Sequence, residues 1–154
     1  MKRINSFFIL FFTLFLIGAK MDNDARVYSR KDCKIELSAT YTNENIALDM
    51  KFTNVSNDAI KIPFFLFPSD TKDFFGDWFE IIDEDDEIVN YEGIQADIDY
   101  DPKHENSLIL KPNENYTISL ACLRKYYKLM KGEVYTIQYL GPLGESNVAK
   151  LKLE

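Results

Sequence analysis

Residues 34–52 read KIELSATYTNENIALDMKF. Ile35, Leu37, Ala39 and Tyr41 alternate with polar residues. Thr42-Asn43-Glu44-Asn45 then supplies turn chemistry, and Ile46, Leu48, Met50 and Phe52 alternate again. Successive side chains of a strand point to opposite faces, so a period of two on both sides of a short polar loop predicts two antiparallel strands, each half-buried. The same signs continue outward. Asn54 to Asp58 (NVSND) is a turn, and residues 60–67 (IKIPFFLF) read as a nearly continuous apolar strand. Pro63 has no N–H to give a ladder, which places that strand at an edge or a bulge. Phe79 and Ile81 share a face, Ile88 to Tyr91 is strand-like, and residues 92–106 form a long unpatterned connection. Ser107 to Leu110, Tyr116 to Leu120, Glu133 to Leu140 and Val148 to Leu153 complete the strand set, with Leu123 to Met130 as the best candidate for a helical turn. Seven to nine short strands and at most one short helix predict an all-β fold, an antiparallel β-sandwich of immunoglobulin-like type. Within LMKGEVYTIQY, Leu129, Gly132 and Tyr135 stand three apart and run into an alternating strand. That is the spacing of a tyrosine corner, in which a Tyr hydroxyl ties down the loop before its strand.

The N-terminus carries a different message. Lys2 and Arg3 precede an apolar run from Phe7 to Ala19 that ends in Gly18-Ala19. A positive start, a short apolar stretch and small residues at its end make a secretory signal peptide. The run is shorter than the roughly twenty residues of a membrane span. Residues 1–19 are therefore expected to be a signal peptide, 20–32 a flexible arm and 33–154 one domain, secreted or periplasmic, with no stable membrane insertion after cleavage. The whole chain has net charge −7, and residues 1–19 hold two basic and no acidic residues, so the remainder carries −9. Such a surface repels phosphate backbones and excludes a nucleic-acid partner. The oxidising compartment makes a disulfide between Cys33 and Cys122 possible, and two buried, unpaired thiols are the equal alternative.

Catalytic chemistry finds little to build on. His104 is the only histidine, in the polar stretch DPKHEN, and the chain has no HExxH, CxxC, GxSxG or Gly-rich phosphate loop. No cofactor and no enzyme activity are expected. Two acidic stretches invite a metal reading. Asp83 to Glu87 is five consecutive carboxylates between strand-like pieces, which alternate in direction and read as a solvated hairpin turn rather than a converging cage. Asp97, Asp99 and Asp101 are spaced like the opening of an EF-hand, but Pro102 and Leu108 stand where that loop needs Gly and Glu. A calcium-binding module is kept as an alternative on these residues. Asn54-Val55-Ser56 and Asn115-Tyr116-Thr117 match glycosylation sequons.

The densest feature is IPFFLFPSDTKDFFGDWFE, with Phe64, Phe65, Phe67, Phe74, Phe75, Trp78 and Phe79. A half-buried strand hides every second side chain, so the others need a cover: a neighbouring element or a partner. Phe64, Phe65, Phe67, Phe74, Phe75 and Trp78, with His104 from the long connection, are the candidate protein-binding residues. A structural or envelope-assembly role is the alternative.

The order of FEI, DEIVNYEG, a Pro in a polar connection, LILKPNE, the L-x-x-x-Y-x-L of Leu123 to Leu129, and GEVYTIQY, preceded by LDMKFTNVSNDAIKIP, resembles the immunoglobulin-like domain that precedes the catalytic domain of bacterial deuterolysin-type (aspzincin) metallopeptidases. The resemblance covers about two-thirds of the chain. Without HExxH or room for a protease domain, the peptidase activity does not carry over. The resemblance implies a stand-alone accessory domain that docks on a peptidase; small immunoglobulin-like proteinase inhibitors have a similar outline. A protein partner, with a peptidase as its sharpest form, is the expectation.

Overall fold

In a computed structural model, residues 25–42, 45–69, 76–93 and 106–154 are described. Their fold is all-β. Nine strands lie in this part of the chain: β1 (Arg26–Val27), β2 (Cys33–Thr42), β3 (Asn45–Asn54), β4 (Ile60–Pro63), β5 (Phe79–Ile82), β6 (Ser107–Leu110), β7 (Asn115–Leu120), β8 (Val134–Tyr139) and β9 (Ala149–Lys152). A single helical turn, α1 (Leu123–Tyr126), and 3₁₀ turns at Arg30–Asp32 and Phe64–Leu66 complete them. The strands form three sheets, in the orders β1-β4-β6, β2-β3-β7 and β5-β8-β9.

The opening hairpin is the spine. β2 and β3 pair antiparallel over ten residues, from Cys33 with Asn54 to Thr42 with Asn45. Leu37 faces Met50 and Ile35 faces Phe52, so the alternating apolar sets of both strands fall on one face. Ile35, Leu37, Ile46, Leu48, Met50 and Phe52 are buried there, while Ala39 and Tyr41 are only half-buried against the same core. Ile60 and Ile62 of β4, Leu110 of β6 and Ile81, Ile137 and Leu151 of the third sheet join them. Between the second and third sheets, β2 packs alongside β9, and Ile35 makes a parallel bridge to Ser146. There the Asn147 side chain imitates a strand: its Oδ1 accepts the Leu37 N–H at 2.8 Å and its Nδ2 donates to the Leu37 carbonyl at 2.9 Å.

Two expectations need correction here. The apolar run 60–67 is not one strand. β4 stops at Pro63, and Phe64–Leu66 turns. Nor is β4 a simple edge, because β1 lies on one side and β6 on the other. Pro63 is tolerated because β1 reaches only Ile60 and Lys61. Lys61 accepts the Tyr28 N–H, so by alternation the missing donor of Pro63 points to the side that β1 leaves open. The segment expected as a loose arm also departs from that reading from residue 25 onward; residues 1–24, with the signal peptide, lie outside the described residues. Arg26–Val27 pairs with β4, and the Arg26 guanidinium grips both oxygens of the buried Asp32 at 2.7 and 2.9 Å. A two-residue strand has no periodicity to read. Its anchor is this bidentate ion pair, which composition does not reveal.

Asn54 closes the end of the hairpin. Fully buried, its amide donates to the carbonyls of Asp58 at 2.8 Å and Leu110 at 2.9 Å, and its oxygen accepts the Ser56 N–H at 2.9 Å. The first sequon is thus consumed as a structural knot, whereas Asn115 of the second is exposed.

Candidate interaction site

The aromatic stretch divides by depth. Phe67 is 6 % exposed and belongs to the core, which corrects its place among the candidate binding residues. Its ring meets Phe52 and Tyr116 edge-on, each at 5.0 Å between centroids. Edge-to-face contacts suit the aromatic quadrupole and add to the burial. The 3₁₀ turn directs Phe64 the other way. Phe64 is 42 % exposed, yet its ring lies 6.2 Å from Tyr116 and 6.3 Å from Phe67. Phe65 is half-buried. An aromatic line therefore runs inward from Phe64 through Phe67 to Phe52, then to Tyr139 at 6.0 Å and Phe79 at 5.6 Å. The exposed end of the line is fixed by its buried end.

At the far side of the stretch, Trp78 is half-buried against the core, and its carbonyl accepts the Leu140 N–H at 2.8 Å. A Cβ at Gly76 would lie 2.5 Å from the indole nitrogen, so the indole folds onto a position only glycine leaves open. Tyr127, just past α1, pins the neighbours of Trp78: its hydroxyl meets the Asp77 carboxylate at 2.7 Å and accepts the Phe79 N–H at 3.3 Å. Burial, reinforced by Asp77, pushes this phenol well above its ordinary range, so it stays a neutral donor. Phe74, Phe75 and His104 lie outside the described residues, as do Asp97, Asp99 and Asp101.

The other singled-out residues are placed as follows. Tyr135, the second residue of β8, has its ring buried; its hydroxyl accepts the Met130 N–H at 2.8 Å and bonds the Glu133 carboxylate. Gly132 sits between them at φ +95°, a left-handed turn suited to glycine, and Leu129 is buried. Asp83 to Glu87 is a hairpin turn. Asp83 Oδ1 accepts the N–H groups of Asp85 at 3.0 Å and Glu87 at 2.9 Å, while Glu84 to Glu87 face water. Among the described residues no group of three or more His, Cys, Asp and Glu is placed to hold a metal ion, and no helix is long and apolar enough to cross a membrane.

Of the two alternatives for the cysteines, the structure does not show the disulfide. No bond joins Cys33 to Cys122. Cys33 is level with Asn54 at one end of β3, whereas β7 reaches Leu48 at Leu120, two residues before Cys122. Six residues of strand rise separate those levels, about 20 Å at 3.3 Å per residue. A bridge needs Cα atoms within about 7 Å. Burial, then Asp32, pushes the Cys33 thiol up to about 11.

Sequence reasoning named Tyr127 only within the L-x-x-x-Y-x-L segment and Tyr116 only within a strand and a sequon, and gave neither a place in the site. That Tyr116 meets the Phe64–Phe67 turn depends on long-range packing. Comparison with protein-family models gives no match to this chain, and comparison with curated proteins gives none either.

Proposed function

We propose that this chain is an exported, non-catalytic, immunoglobulin-like β-sandwich that binds another protein, with inhibition or escort of an extracytoplasmic peptidase as its sharpest form. The observation that carries the reading is Phe64: a large aromatic held in contact with water at the start of a turn whose closing ring, Phe67, is anchored in the core. An aromatic fixed in place loses little entropy on binding, which is why such residues anchor interfaces. The sandwich form is supported by β2, which pairs with β3 yet bridges toward the β5-β8-β9 sheet, and by the Tyr135 hydroxyl tying the loop before β8. The peptidase version rests on the sequence resemblance alone.

The test is capture. The full chain, expressed with its own leader and recovered from the periplasm, is immobilised and exposed to the extracytoplasmic proteins of its source, and retained proteins are identified by mass spectrometry. A retained peptidase whose activity changes when the chain is added supports the reading. Retention of envelope components with no peptidase would retire the inhibitor or escort form, and retention of nothing would retire protein binding altogether.

A further inference from the structure

We propose that the outer edge of β7 is a strand-addition site for an extended, neutral or basic segment of a partner protein. The inference rests on the protein-binding reading and says which surface and which partner conformation it uses.

The direction of each backbone group follows from the register. In an antiparallel pair, the N–H and C=O of one residue point to the same side, and successive residues alternate. The Asn54 N–H bonds Glu114, so Asn54 faces β7. Phe52, Met50 and Leu48 therefore face β7 as well, and their partners Tyr116, Ile118 and Leu120 face back. The opposite strand agrees: Leu37 turns its backbone outward to Asn147, which leaves Lys51 and Asp49 of β3 facing β2. The N–H and C=O groups of Thr117 and Ser119 thus point away from β3. Among the described residues no strand pairs with that side of β7.

Several other edges carry a guard. Asn147 occupies β2 at Leu37, the Val89 N–H bonds Ile81 of β5, β9 presents Lys150 and Lys152 to water, and β1 is only two residues long. β6, SLIL, is an uncharged edge like β7. β7 reads NYTISL, with neither charge nor proline. Natural edges of this kind are normally blunted, and extended peptides recognise those that are not. What singles out β7 from the equally uncharged far half of β2, and from the shorter β6, is its length and its neighbour. Tyr116 and Ile118 are half-buried on the inner face, and the exposed Phe64 stands against Tyr116. A strand laid on β7 would pair its backbone with Thr117 and Ser119 and turn every second side chain toward Tyr116, Ile118 and Phe64. Its sequence should alternate apolar and polar residues. The chain's net charge of −7 opposes a second copy and favours a neutral or basic segment.

The test selects short random peptides displayed on phage against the full chain. Binding is then measured to the native chain and to Thr117→Pro and Ser119→Lys. Thr117→Pro removes an outward N–H of an edge strand, where proline is tolerated, and Ser119→Lys puts a positive charge beside that edge, which opposes a neutral or basic segment. Selected peptides should alternate apolar residues and bind each variant at least about tenfold more weakly, which for Thr117→Pro is the equivalent of one or two ladder hydrogen bonds. The Thr117 and Ser119 amides should exchange rapidly in the free chain and slowly with peptide. If Thr117→Pro fails to fold, Ser119→Lys carries the comparison. Peptides indifferent to both changes would overturn the edge and leave protein binding standing. Slow amides in the free monomer would overturn it too, as would a dimer that Ser119→Lys dissolves. Absence of any selected peptide, with no partner captured, would take down both.

Discussion

Truncating Phe67 and Phe64 in turn separates the anchor from the surface. Phe67 is nearly fully buried and has ring contacts to Phe52, Tyr116 and Phe64. Phe67→Ala removes a buried ring and leaves a cavity against Phe52 and Tyr116, a loss of about 4 kcal/mol. For a domain of this size that lowers Tm by roughly 15 °C. Phe64 is 42 % exposed, so Phe64→Ala gives up only part of a ring's transfer energy and opens no cavity, a loss of about 1 kcal/mol. Thermal unfolding followed by circular dichroism reads both. Phe64→Ala should keep the native spectrum and most of the Tm while weakening partner capture. If Phe64→Ala destabilises as much as Phe67→Ala, the exposed ring is structural and the division of the aromatic stretch is wrong.

Asn54→Ala should cost about 3 kcal/mol in urea unfolding, because it leaves the buried Leu110 carbonyl without its donor and frees the 55–59 turn; an effect below about 1 kcal/mol would contradict the knot. Reducing agent should leave Tm unchanged. Cys33 should react with thiol reagents far more slowly than a free thiol at neutral pH and accelerate only as pH approaches about 11, and a reductant-dependent Tm would restore the disulfide. Arg26, followed by the Ser29 N–H, holds the Asp32 carboxyl below its ordinary value. The stability this ion pair contributes is therefore present above the unfolded-state value near 4 and is lost as pH falls through the lower folded value. Asp32→Asn should flatten that acid limb of the stability profile, and an unchanged acid limb would remove the clamp from the account.

The opening hairpin was legible because burial on one face forces a period of two, and no other element reproduces Ile35 to Phe52 in that pattern. The acidic turn was legible for a similar reason, since five consecutive carboxylates have no common direction in which to converge. Tyr135, Gly132 and Leu129 could be singled out because a corner is local, written in spacing. What failed was non-local. Two cysteines in strands look pairable until the register puts them at opposite ends of β3. Phe67 looks like Phe64 in sequence, and only the turn after Pro63 sends one ring inward and leaves the other at the surface. β1 is too short to carry a pattern, and its ion pair with Asp32 is invisible until the chain folds back on β4. Tyr116 acquires its meaning from a turn some fifty residues earlier.

The most direct measurement is hydrogen exchange, read by mass spectrometry, on the full chain alone and with a captured partner. Protection gained at residues 115–120 and around Phe64 is the predicted result. Protection confined to the Asp83–Glu87 hairpin or to β9, with 115–120 unchanged, would contradict it.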